Sequence, residues 1–368
     1  MPRSALVLLV VAGVGCSASP RTGLSPLPEA TGAAAAAGGE HEALLDSLDG
    51  YLRGQVQRGF SGVVLVARGD RILLRRAYSD DPRVTPESAF WIGSMTKQFA
   101  ASAILRLQEQ GALSVADPIS KHVPGVPADK QHITIHHLLT HTSGLGNRYV
   151  ADGIVDRDQA VRAILALPLE SSPGTYAYSN DGYALLGVLI SIVSGGPYEQ
   201  YLREQLLFPA GMARSGFWGE PPAPGEAVLA PVRQARGPAM RVPNWGYRGT
   251  TGIRSTVEDL YRWHRALQGE GLLARSSMES MFAPHVQRSE TQAYGYGWQV
   301  VRTGLGMRLL AHSGAESGLD HYASIRRYVD EDLVFVLLSN AEEEMTWDTQ
   351  RESLQILFRQ LYPERRPQ

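Results

Sequence analysis

"WIGSMTKQFAASAILRLQEQG", residues 91–111, is the stretch from which the rest of the chain can be read. Phe99, Ala103, Ile104 and Leu107 recur at helical spacing, and Gly111 ends the run. Ser94 and Lys97 stand three residues apart, on one face of such a helix, so the lysine can reach the hydroxyl. Lys97 is one of three lysines in a chain with 35 basic residues. A serine hydroxyl is a weak nucleophile until a base takes its proton. Lysine can be that base once burial or neighbouring cations lower its pKa, whereas arginine does not release its proton. The competing reading is a surface lysine that follows a serine by accident. With three lysines and a serine usage of about 7%, chance produces the pair in roughly one chain in five. The pair alone therefore decides nothing.

Working outward, "EALLDSLDGYLRGQV" (42–56) has helical spacing at Leu44, Leu48 and Leu52. "GVVLVARGDRILLRRAY" (62–78) is two β-rich runs around an Arg-Gly-Asp turn, a hairpin. From 112 to about 265 helices and loops dominate, among them "YALLGVLISIVSG" (183–195) and "TVEDLYRWHRAL" (256–267), the latter opened by a Thr256 cap with Asp259 three residues on. Strand signals return in "YGYGWQVV" (294–301), "MRLLAHSG" (307–314), "YASIRRYV" (322–329) and "LVFVLLSN" (333–340), and an amphipathic helix closes the chain at 347–361. This order predicts an α+β fold. An antiparallel sheet is assembled from both chain ends and flanked by helices, with the mostly helical insertion of about 112–265 packed beside it. A cleft is expected between those layers.

The chain has 368 residues, 43% hydrophobic and 20% charged, with a net charge of −2. That is enough length for a sizeable core, and the balance of charge gives no sign of a nucleic-acid partner. Cys16 is the only cysteine, which excludes an internal disulfide. "MPRSALVLLVVAGVG" (1–15) carries one arginine and then an apolar run too short to span a bilayer, ending in small residues directly before Cys16. Residues 1–16 are therefore expected to be a secretory signal with a bacterial lipobox, although Gly13 stands where leucine is usual. Acylated at Cys16, the protein would be exported to the periplasm or cell envelope and held at a membrane, each buried CH₂ adding about 0.8 kcal/mol. Residues 17–40, rich in Ala, Gly, Ser and Pro, read as a tether, and 41–362 as the globular domain.

Two further motifs change the weight of the first. "YAYSNDGY" contains Tyr178-Ser179-Asn180, and "LAHSGAE" contains His312-Ser313-Gly314. In this order, Ser-x-x-Lys, Tyr-x-Asn and a late-strand His-x-Gly, the chain resembles the serine β-lactamase and penicillin-binding-protein superfamily. Within it the likeness is to class C β-lactamase-related serine hydrolases. It extends to "ITIHHLLTHTSGL" (133–145), "PGTYAYSNDGYALLG" (173–187) and "GIRSTVEDLYRWHRAL" (252–267), and covers about residues 42–342. The resemblance implies that Ser94 is the acylated nucleophile, Lys97 its activating partner and Tyr178 the general base or proton shuttle. Asn180 would bind a substrate carbonyl or hold Lys97. His312 and Gly314 would line the cleft on an edge strand, and the backbone N–H groups of Ser94 and Ala315 would form the oxyanion hole. No cofactor is implied. The substrate would be a small molecule or peptide.

One departure bears on specificity. The third motif of β-lactamases and transpeptidases is usually Lys-Thr-Gly, and here a histidine replaces the fixed cation. Ester or amide substrates without an essential carboxylate are then favoured, with a class C-like β-lactamase, a DD-carboxypeptidase or a non-catalytic penicillin-binding module as alternatives. Protonation of His312 near pH 6 is expected to restore some β-lactam binding. His136, His137 and His141 cluster, but without an intervening Glu they read as structural rather than as a metal site. No Gly-x-Ser-x-Gly elbow, dinucleotide fingerprint or P-loop occurs. Tyr294, Tyr296 and Trp298 could line a cleft rim but read better as packing on a half-buried strand, while Trp245 and Tyr247 stand on a loop from which they could touch substrate.

Overall fold

A computed structural model of the chain describes residues 38–221, 227–231, 243–316 and 318–363. The signal segment, Cys16 and most of the tether lie outside these residues. The chain enters as helix α1 (Gly38–Val56), so the last three residues read as tether are already helical. It turns through Phe60 into the hairpin of β1 (Gly62–Arg68) and β2 (Arg71–Tyr78), with Gly69 at φ +56° in the turn. A short strand, β3 (Phe90–Trp91), leads through a 3-10 turn at Gly93–Met95 into α2 (Thr96–Glu109). Gly111, at φ +71°, stops that helix. The insertion follows, with α3 (Ile135–Leu139), α4 (Arg157–Ala166), α5 (Asn180–Ser194), α6 (Tyr198–Leu202), β4 (Gly216–Phe217), β5 (Ile253–Ser255), α7 (Val257–Ala266) and α8 (Arg275–Met281). Strands then return as β6 (Val286–Gln287), β7 (Gln292–Tyr294), β8 (Gln299–Arg302), β9 (Arg308–Glu316), β10 (His321–Tyr328) and β11 (Leu333–Ser339) before α9 (Glu343–Leu361).

The sheet runs β2-β1-β11-β10-β9-β8-β7-β6, and every neighbouring pair is antiparallel. The N-terminal hairpin thus joins the C-terminal strands, with Leu65 of β1 opposite Val336 of β11. Alternate side chains of β1 explain why both faces must be covered. Val63, Leu65 and Ala67 enter the core shared with α2 and α7, while Val64 and Val66 enter the one beneath α1 and α9. Trp263 of α7 is wholly buried and stacks on Phe99 of α2 at 4.3 Å, its Nε1 donating to Gln98 Oε1 at 3.1 Å. Thr256 caps α7 by accepting the Asp259 N–H at 3.1 Å.

Two parts of the architecture differ from the sequence reading. The insertion holds β4 and β5, which pair with β3 in a second sheet of order β3-β5-β4. "YGYGWQVV" is also not one strand. Gly295 N–H donates to Trp298 O at 2.8 Å and Gly297 takes φ +72°, which breaks the run into a turn between β7 and β8. That turn lies flat on the start of α2, where a Cβ at Gly297 would stand 2.7 Å from Lys97 O. Tyr294, Tyr296 and Trp298 are all buried there.

Candidate active site

The turn before α2 sets the position of Ser94. Gly93, at φ +52°, lets the chain reverse, leaving Ser94 half-exposed between buried Gly93 and Met95. One turn into the helix, Lys97 is fully buried, and its Nζ has three neighbours. These are Ser94 Oγ at 3.1 Å, Asn180 Oδ1 at 2.7 Å and the Thr250 carbonyl oxygen at 3.2 Å. Among the described residues no carboxylate pairs with it. Burial without a counter-charge pushes the Lys97 pKa well below its ordinary value.

Asn180 cannot turn its other face to Lys97. Its Nδ2 donates to Asn147 Oδ1 at 2.6 Å, and its backbone N–H donates to the same oxygen at 3.1 Å. Ser179 caps α5 by accepting the Gly182 N–H at 2.8 Å, and its own hydroxyl donates to Gly146 O at 2.7 Å. The cap leaves Tyr178 and Asn180 on either side of it. Tyr178 is half-buried and hydrogen-bonds to Ser94, with Lys97 Nζ 5.0 Å from its ring centre. Burial raises the phenol pKa, and the Ser94 hydrogen bond offsets part of that rise.

The histidine of "THTSGL" holds this segment in place. His141 takes φ +59°, its carbonyl accepts the Ala177 N–H at 2.8 Å and its Nδ1 accepts the Ser179 N–H at 3.0 Å. With Nδ1 an acceptor, the neutral ring carries its proton on Nε2, which faces the Tyr294 hydroxyl at 3.2 Å. The Tyr294 hydroxyl then donates to His312 Nε2 at 3.1 Å, and His312 Nδ1 donates to Ser313 O at 2.7 Å. One consistent direction of donors thus runs from His141 to the third motif. His136 and His137 are occupied elsewhere, His136 with the Tyr296 hydroxyl at 2.8 Å and His137 in the capping box of α3. Among the described residues no group of three or more metal-ligating side chains occurs.

His312 corrects the expectation drawn from its position. Its ring is 3% exposed and turned onto Tyr294 rather than lining the open cleft. Burial first, and the charge of Lys97 second, push its pKa down to about 3. Lowering the pH to 6 therefore leaves it neutral, and the expected recovery of β-lactam binding has no basis. The charges of Arg326 and Arg288 also bear on this ring. Arg326 donates to Ser313 Oγ at 3.1 Å, and Arg288 lies 4.9 Å from the ring centre of Tyr176.

Gly314 and Gly93 explain how two backbones come so close. A Cβ on Gly314 would stand 1.9 Å from Ile92 O and 2.9 Å from Ser94 N, and one on Gly93 would stand 2.6 Å from Ala315 N. The amides of Ser94 and Ala315 are thereby brought to the same end of the cleft. Ser94, Lys97, Tyr178, Asn180, Gly314 and Ala315 all meet in this region, with His312 one layer behind it. Trp245 does not reach it, being buried with its Nε1 on Val155 O at 3.0 Å. Tyr247 is half-buried and stacked on Trp218 at 5.0 Å and 7°. Asn147, Thr250 and Gly93 were missed from sequence, and Tyr294 was read as packing. Only Gly93, directly before the serine, carried a signal that could have found it.

A family model described as Beta-lactamase matches residues 43–357. A Bacillus subtilis (strain 168) protein named as a penicillin-binding protein, PbpX, is 31% identical over 249 residues, covering 66% of this chain and 62% of the relative. A second penicillin-binding protein of that organism is 29% identical over 342 residues, covering 83% of this chain and 74% of its own. Among solved structures, the D-amino acid amidase of Ochrobactrum anthropi SV3 has a TM-score of 0.73 at 22% identity, covering 87% of this chain and 99% of that one. At that identity the likeness is one of fold. With the family match running unbroken from α1 through Ser94 and Ala315 into α9, the chain belongs to the β-lactamase family.

Proposed function

We propose that the chain is a serine hydrolase that cleaves ester or amide bonds, D-amino-acid peptide bonds among them, through an acyl-enzyme on Ser94. The observation that carries this reading is the surroundings of Lys97 Nζ. A neutral amine has two hydrogens and one lone pair. Asn180 Oδ1 and Thr250 O can only accept, so they take the hydrogens and leave the lone pair facing Ser94 Oγ. Ser94 passes its proton to Nζ as Oγ attacks the substrate carbonyl carbon. The electron pair displaced onto oxygen is held by the amides of Ser94 and Ala315, each worth roughly 3 kcal/mol. Collapse expels the alcohol or amine, which takes its proton through Tyr178. Water then repeats the sequence on the acyl-enzyme and frees the acid.

The test is a panel of p-nitrophenyl butyrate, nitrocefin and a D-Ala-D-Ala peptide, with Ser94→Ala as blank. The ester or the peptide is expected to turn over. Nitrocefin should acylate Ser94 but turn over about one to two orders of magnitude more slowly, since the motif has lost a charged hydrogen bond of about 1.5–3 kcal/mol. Dropping the pH to 6 should not help nitrocefin, because His312 stays neutral down to about 3. Efficient nitrocefin turnover with negligible esterase activity would return the protein to the β-lactamases proper. Failure of a serine-directed phosphonate to label Ser94 would leave only a non-catalytic binding module.

The reading extends to location. Residues 1–16 export the chain, Cys16 carries the lipid, and residues 17 to about 40 tether the body that runs to 362. Cys16→Ser is expected to move the protein from the membrane fraction to the soluble periplasm. Unchanged fractionation would remove the anchor and leave the chemistry untouched.

A further inference from the structure

On β9, residues 312, 314 and 316 share a face, and Gly314 of that face is packed against the Ser94 turn. Glu316 is the next residue on that face, about 7 Å further up the strand past the Ser94 turn and directly after Ala315. It is half-buried, yet among the described residues its carboxylate has no hydrogen bond and no ion pair. Burial, with the charge of Asp152 second, pushes its pKa up to about 7. A carboxylate held this way lacks a counter-cation.

Its surroundings are aromatic. The charge of Glu316 bears on the hydroxyls of Tyr149 and Tyr247. Tyr247 stacks on Trp218 at 5.0 Å, and Trp218 in turn packs on Trp91 at 4.3 Å with the rings inclined by 51°. Trp91 lies on β3, three residues before Ser94. Tyr149 is presented by a strained backbone at φ +52°. Asp181 clamps that backbone, accepting the N–H of Arg148 at 2.9 Å and of Val150 at 3.0 Å. A half-buried carboxylate with no counter-cation, close enough to two phenols to act on their charge, is suited to receive an organic cation.

We propose that Glu316 is a specificity residue that binds an ammonium group beside the scissile carbonyl, between Tyr149 and Tyr247, so that the site selects esters and amides of amino acids with a free α-amino group. This rests on the acyl-enzyme reading above. It adds to it the substrate class, which neither the motifs nor the nucleophile specify.

The experiment compares D- and L-alanine p-nitroanilide with their N-acetyl forms, each as a substrate and as a competitive inhibitor of p-nitrophenyl butyrate hydrolysis. At pH 7.5 the carboxyl is mostly ionised, and an α-ammonium of pKa about 7.7–8.0 is still mostly charged. For at least one handedness the free amine is expected to be favoured at least tenfold over its N-acetyl form, in kcat/KM or in Ki. Glu316→Gln should shrink that ratio tenfold or more, and Tyr247→Leu should shrink it in the same direction. Phosphonate labelling of Ser94 reports whether each variant is folded, and the wild-type ratio needs no variant at all. A wild-type ratio near one for both handednesses, or a ratio unchanged in a labelled Glu316→Gln, overturns the proposal. Absence of both ester hydrolysis and Ser94 labelling in the wild type would instead sink the acyl-enzyme reading on which it rests.

Discussion

Lys97→Arg is expected to lose activity almost as completely as Lys97→Ala, both by roughly 10³-fold or more in kcat/KM for p-nitrophenyl butyrate. The two substitutions fail for different reasons. Alanine removes the base and leaves Asn180 Oδ1 and Thr250 O without a donor. Arginine keeps the charge but holds its proton, and its planar fork has no room in a fully buried site between Tyr178, Tyr183 and Asn180. The pH dependence has a definite sign. Lysine is active as the neutral amine, and burial moves its pKa well down, so activity should be lost as the pH falls through that lowered value. Above it the amine needs no further deprotonation. Lys97→Arg retaining most of the rate would make Lys97 an electrostatic post and pass the proton to Tyr178.

What could be read beforehand follows from how each part signals. The hairpin of β1 and β2, the late strands and α2 are runs of apolar side chains with a period, and these are visible in any sequence. Ser94 and Lys97 were visible because helix geometry alone puts them together. The small sheet was not, because strands of two or three residues such as Phe90–Trp91 have no period to detect. Thr250 was invisible for a different reason. It acts through its carbonyl oxygen, which every residue has. Asn147 lies 33 positions from the asparagine it fixes, in a loop with no pattern of its own. His312 was legible as a residue on a late strand but not as a buried one. Its state depends on Tyr294 and His141, which arrive from a broken strand and from a loop far upstream. A strand's face can be read from alternation, but what closes over that face cannot.

The fit between Gly314 and Ser94 leads to the second large effect. Gly314→Ala adds one methyl group to the face of β9 that touches the nucleophile turn. That methyl would meet Ile92 O at 1.9 Å and Ser94 N at 2.9 Å, both backbone atoms that no rotamer change can move aside. Either β9 or the turn must retreat by about 1 Å, and a misplacement of that size can cost about 100-fold in rate. The same movement separates the Ala315 amide from the Ser94 amide, and one lost oxyanion donor alone costs about 10²–10³ in kcat. We expect Gly314→Ala to lower kcat for p-nitrophenyl butyrate by at least about 100-fold. The fold should survive, because beyond Ala311 β9 has left β8 and is held on one side only, by β10. Gly304→Ala, in open space in the β8–β9 turn, serves as the control and should keep wild-type kinetics. Phosphonate labelling separates the two sources of loss. A slower reaction at Ser94 with an unchanged melting temperature places the damage in the cleft, whereas a large fall in melting temperature places it in the sheet. Wild-type kcat in Gly314→Ala would mean that the two backbones are not held as close as this arrangement requires, and the assignment of the Ala315 amide to the oxyanion would fall with it.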